Sequence, residues 1–155
     1  IYQSLQEEIV KNSIALFSVE LLLRLLPEHA PMPELYDFAH EYFRQLDVMP
    51  VNAVANFPLY FIIQCARMMG YDIGEDEATL AKGIGLIPGS ISLHQEDINM
   101  LNALLQVEKM EELKNIPMNA ETRFRLLDWY IEFLQQHTQH MGSIRSLTVL
   151  RAILH

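Results

Sequence analysis

Along most of this chain the apolar residues return every three or four positions, the spacing of one face of an α-helix. Over Tyr2 to Leu26, Ile14, Phe17, Leu21 and Leu25 make one stripe, and Leu22 and Leu26 widen it. A break near Lys11 and Asn12 is expected within this stretch, and Pro27 ends it. Glu20 and Arg24 lie one turn apart and are placed to pair weakly on the surface. Pro33 opens a second helix at a first-turn position, where its missing N–H costs little. Leu35, Phe38, Tyr42 and Leu46 form its inner face, Glu34, Asp37, Glu41 and Arg44 its outer one, and residues 46–50 close it.

Residues 53–70 are the most apolar run in the chain. Arg67 is its only charge, and apolar side chains fall on nearly every face, so a helix here is buried almost all round. The run is too short and too interrupted to span a membrane. Asn52 or Asn56 is placed to cap its start, and Pro58 is tolerated if the helix begins near Asn56. Gly70 stands where a left-handed C-terminal cap is needed.

Beyond Gly70 the texture changes. Residues 71–77 are acidic, and residues 83–92 mix glycine with isoleucine and leucine, which reads as a loop or short hairpin. Gly83 and Gly85 lack the Lys-Ser/Thr of a nucleotide loop and the third glycine of a dinucleotide fingerprint. His94 to Val107 is helical again, with Ile98, Leu101, Leu104 and Leu105 apolar. Residues 108–115 read as a charged short helix or turn closed by Pro117. Asn119 starts a long helix carrying Phe124, Leu127, Ile131 and Leu134, widened by Trp129, Tyr130 and Phe133. Residues 135–139 are a polar exit and Gly142 a break. A last amphipathic helix runs over residues 144–154, with Ser146 placed as its cap. The pattern therefore predicts an all-α fold: an orthogonal or irregular bundle of six or seven helices around a buried central helix, with one irregular insert over about residues 71–93.

A length of 155 residues suits a single domain over 1–155, and the 50% hydrophobic and 20% charged content is that of a globular chain. The first residue is Ile rather than Met, so a piece of a longer chain is expected. A formal net charge of −9 argues against a surface that grips nucleic acid on its own, because phosphate contacts need clustered Lys and Arg. The single cysteine, Cys65, lies in the central apolar run and reads as a buried structural thiol, compatible with a reducing cytoplasm. No signal peptide and no membrane span are read.

Candidate chemistry is sparse. His137 and His140 share a helix face only if the helix runs that far, and their neighbours are Gln and Thr, so a solvated helix end explains them better than a metal site. The acidic clusters at residues 7–8, 75–77 and 111–112 read as solvated faces, since paired catalytic carboxylates need opposed, partly buried surroundings. No serine sits in a nucleophile elbow and Cys65 has no helper base. No catalytic residue, metal site or cofactor is predicted. The few arginines are the more informative groups: Arg67, Arg123, Arg125, Arg145 and Arg151 are each able to hold a carboxylate by paired hydrogen bonds beside an apolar groove. The chemical readings left open are a helical adaptor and, behind it, a His-based metal protein.

Three segments in order resemble one family. Residues 11–22 are similar to the first helix after the N-terminal domain of the RecO family of bacterial DNA repair and recombination mediators. Ala55-Asn56-Phe57, the apolar helix and Met69-Gly70-Tyr71 resemble its central helix. Residues 144–151 resemble its terminal helix, in the form seen in Bacteroidetes-like sequences. The resemblance implies a helical C-terminal domain lacking the N-terminal OB-fold barrel. It implies a non-enzymatic mediator that anneals strands and loads the RecA recombinase with RecR in the bacterial cytoplasm, associated with the nucleoid. DNA would be held mainly by the missing N-terminal domain. The partners implied for the helical domain are RecR and the acidic C-terminal tail of single-stranded DNA-binding protein. Many family members hold zinc through four cysteines in the insert; residues 71–93 have none here, so zinc is not expected. The family's pocket lies between the central and last helices. On this sequence that suggests Phe57, Tyr60 and Phe61 as walls, Arg145, Ser146 and Leu147 as rim and cap, and Arg151 as a further carboxylate contact.

Overall fold

A computed structural model of the protein describes residues 2–26, 31–71, 91–138 and 140–154. Among these residues the structure is all-helical: α1 (Tyr2–Leu25), α2 (Pro33–Val48), α3 (Phe57–Met68), α4 (Gln95–Leu105), α5 (Ala120–His137) and α6 (Leu147–Ile153). Two short 3-10 segments, Val51–Ala53 and Met110–Asn115, pack against each other. No described segment is a strand. The insert predicted over residues 71–93 falls largely on residues 72–90, outside the described residues.

The apolar run forms α3, whose residues Phe57 to Ile63, with Cys65 and Ala66, are all buried. Its neighbours are α1, α2 and α5, so three helices sheathe it as its all-round apolarity requires. Gly70 ends the helix at φ +87°. The Tyr71 N–H bonds to the Ala66 carbonyl at 2.8 Å and the Gly70 N–H to the Arg67 carbonyl at 3.0 Å, the paired bonds of a left-handed C-terminal cap. The start of α3 differs from expectation. Asn56 occupies the N-cap position, yet its side chain makes no cap bond. Its amide nitrogen instead donates to the carbonyls of Leu113 (3.0 Å) and Ile116 (3.2 Å), and its oxygen accepts from Arg123 Nε (3.1 Å). Long-range carbonyls and a buried guanidinium outcompete the local amide, and Asn56 becomes a cross-brace between α3, the second 3-10 segment and α5.

Helix α1 is continuous through Lys11 and Asn12, where a break was expected. Ser13 accommodates the helix by donating its hydroxyl to the Ile9 carbonyl at 2.7 Å, and Lys11 Nζ donates to the Asp47 carbonyl at 2.8 Å. The inner face of α1 is Ile14, Phe17, Leu21 and Leu25, as the spacing predicts. The opposite face is apolar too: Leu5, Ile9, Leu16, Val19 and Leu23 are exposed. Buried Ser18 and Tyr42 join α1 to α2 through a 2.9 Å hydroxyl pair. Helix α6 packs on α1, and α4 on α5. No helix among the described residues is long and apolar enough to cross a membrane.

Candidate functional site

Two open clefts on the surface differ in charge balance, the first with acidic and basic side chains in equal number and the second mainly acidic. The first, about 420 Å³, is built by successive turns at the start of α5 and closed on one side by α6. Asn119 fixes where α5 begins, its side chain accepting from the Thr122 N–H at 2.8 Å. Phe124, Arg125 and Asp128 then follow at helical spacing and face the cleft with Arg151 of α6.

Arg125 is structurally committed. Its Nε and a terminal nitrogen donate to the two carboxylate oxygens of Asp97 at 2.7 and 3.1 Å, a bidentate pair tying α5 to the first turn of α4. Asp97 is fully buried and also accepts the His94 N–H at 2.8 Å. Burial pushes its carboxyl upward, but the Arg125 and His94 donors outweigh burial and hold it below the usual carboxylate range. Arg151 is less committed. It donates to Asp128 at 2.5 Å with both side chains partly in water, and its guanidinium stands 4.9 Å from the Phe124 ring centroid. Such an exposed pair contributes little, so an incoming carboxylate can replace Asp128 while Arg151 stays seated on the ring.

Arg145, Ser146 and Leu147 belong to a different seam. The Arg145 N–H donates to Glu20 Oε2, and the N–H and hydroxyl of Ser146 donate to Oε1 at 2.8 and 2.6 Å. Burial alone raises the Glu20 carboxyl; the Ser146 and Arg145 donors and nearby Arg24 bring it below its ordinary value. Ser146 makes no cap bond to its own helix, because Glu20 of α1 takes its hydroxyl. The expected pair of Glu20 with Arg24 survives only as a 3.9 Å contact. Leu147 is half-buried against the core, and the Arg145 side chain is exposed.

Phe57 and Phe61 are fully buried. They stack with α2: Tyr42 lies 5.7 Å from Phe57 and 4.4 Å from Phe61, and Phe38 lies 5.8 Å from Phe61. Tyr60 reaches the surface at the second cleft, about 430 Å³, with Phe38, Met110, Glu41, Glu108 and Glu111 around it. The structure thus distributes the sequence-predicted residues: Phe57, Tyr60 and Phe61 toward α2, Arg145, Ser146 and Leu147 onto α1, and Arg151 onto α5. Sequence reasoning missed Phe124 as a cleft residue, since its place in the α5 stripe reads as core, and missed Asp97, whose position three residues into a helix start was the available signal.

His137 stacks its ring 4.4 Å from Phe133, and its carbonyl accepts the Tyr71 hydroxyl at 3.0 Å. Among the described residues no group of three or more His, Cys, Asp and Glu converges. Cys65 is buried and burial pushes its thiol up, the opposite of an activated nucleophile.

A family model described as "Recombination protein O C terminal" matches residues 6–77. The protein named DNA repair protein RecO from Christiangramia forsetii is 24% identical over 159 residues, covering 98% of this chain and 65% of that protein. Its namesake from Bacteroides fragilis is 26% identical over 161 residues, covering 98% of this chain and 66% of its own length. The chain therefore spans just under two thirds of the length of these curated relatives. No solved structure matches. The ordered helices, the apolar central rod and these similarities agree: over residues 6–77 the chain is similar to the C-terminal part of the RecO family, and along nearly its whole length to proteins named DNA repair protein RecO.

Proposed function

We propose that this chain is the protein-binding, non-catalytic helical part of a DNA repair and recombination mediator, and that its α5–α6 cleft holds the acidic C-terminal tail of single-stranded DNA-binding protein. Strand annealing and RecA loading with RecR belong to the protein as a whole, with DNA held mainly outside this acidic domain. The observation that carries the reading is Arg151, seated over Phe124 and paired only in water with Asp128. That arrangement offers a peptide one apolar contact and one exchangeable cation. Arg145, exposed before the start of α6 and outside the cleft itself, supplies a second cation for a tail that runs past it. The chain's negative charge repels an acidic tail at long range, so binding rests on these local contacts and not on steering.

Titration of a labelled copy of that tail tests the site. The wild-type chain binds it, and the combined Arg145→Ala and Arg151→Ala variant binds at least about tenfold more weakly, the loss of roughly 1.4 kcal/mol. Equal binding by the two proteins removes the cleft assignment.

A further inference from the structure

The second cleft does not suit an acidic ligand. Its floor is Phe38 and Met110, both half-buried, with Tyr60 between α2 and the second 3-10 segment. Its rim carries Glu41, Glu108 and Glu111 against a single cation, Lys109. Glu41 is already held by Arg44 through two bonds of 2.9 and 2.6 Å. Glu108 and Glu111 are exposed at the rim, and Glu111 shares the Arg44 charge with Glu41, so the three carboxylates outnumber Arg44 and Lys109 around the cleft.

Tyr60 gives an independent sign. The residue is only 7% exposed, and its hydroxyl, which makes no hydrogen bond among the described residues, is the part that solvent reaches at the cleft. The hydroxyl is not sealed from water, so it is free to donate to a ligand that enters the cleft. The sequence offers no local reason for this exposure, because the other aromatic residues of the central helix, Phe57 and Phe61, are fully enclosed.

We infer that this cleft is a docking site for a basic linear segment of a partner protein, one carrying an apolar anchor side chain flanked by Lys or Arg. The anchor lies on Phe38 and Met110, a backbone carbonyl of the segment accepts from the Tyr60 hydroxyl, and the flanking cations pair with Glu108 and Glu111. Nucleic acid and anionic membranes are disfavoured by the same carboxylates. The site shares no residue with the α5–α6 cleft, so its fate is separate from that of the acidic-tail reading.

The test uses a fluorescent, amidated Lys-Arg-Leu-Phe-Lys-Arg peptide titrated into the whole chain by anisotropy, with a hexalysine peptide as the charge-only control. The expected result is saturable binding that weakens with salt, with hexalysine at least about fivefold weaker because it lacks the anchor. Tyr60→Phe, which keeps the ring, weakens the Leu-Phe peptide by about three- to tenfold. The Glu108→Lys and Glu111→Lys pair, both exposed, abolishes binding of the basic peptide and does not weaken acidic-tail binding. The inference is overturned if hexalysine binds as well as the anchored peptide, if Tyr60→Phe binds like wild type, or if the doubly reversed variant retains binding.

Discussion

Buried Asp97 shows how a single residue ties local and long-range structure. It satisfies the His94 N–H at the start of α4 and takes both prongs of Arg125 from α5. Removing the carboxylate leaves the Arg125 fork without its principal partner, so Asp97→Ala is expected to destabilise by about 3 kcal/mol, read by urea denaturation. The pH sign follows from the lowered carboxyl. Its stabilisation is complete above the unfolded value near pH 4 and is lost as pH falls through the lower folded value. Asp97→Asn should therefore flatten the acid limb of the stability profile, while the profile above about pH 5 keeps its shape. Asn56 is the comparable case on the other side of the core. Asn56→Ala strands two carbonyls and the buried Arg123 Nε, and a loss of about 2–4 kcal/mol is expected in the same denaturation measurement. Neither role was legible in the sequence. An Asn before an apolar run reads as a cap, and an Asp after a His reads as a helix start, because the competing partners lie tens of residues away.

Among the helices, the ones whose period is clean were legible and their ends less so. The α3 rod, the Pro33 start and the Gly70 stop each follow from local chemistry: all-round apolarity, a free first-turn N–H position and a positive φ. Gly70→Ala meets open space at its Cβ, so the cost is backbone strain alone, about 1 kcal/mol in a thermal melt. The expected break in α1 was absent because Lys11 and Ser13 find partners without leaving the helix. The two faces of α1 make a sharper contrast. Phe17→Ala removes a fully buried ring and should cost about 3–5 kcal/mol, whereas Leu16→Gln, on the exposed face, should stay within about 0.5 kcal/mol. Comparable losses from both would mean that the outward stripe is packed against something.

The whole molecule presents an acidic surface on which two clefts differ in charge balance: one rimmed by Glu41, Glu108 and Glu111 against Lys109, the other setting Arg125 and Arg151 against Glu121 and Asp128. Sequence alone identified the all-α bundle, the buried thiol and the resemblance to the RecO family, since each rests on periodicity, composition or ordered motifs. It could not separate the clefts, because Tyr60 and Arg151 acquire different surroundings only when α2 and the second 3-10 segment enclose one and α5 the other. The most direct test of the central claim is backbone amide NMR of the isotopically labelled chain during titration with the acidic tail of single-stranded DNA-binding protein. The account predicts saturable shifts concentrated on residues 120–128 and 145–154, with Tyr60 and residues 108–111 unmoved. Shifts centred on Tyr60 and the second 3-10 segment, or no saturable shift at all, would contradict it.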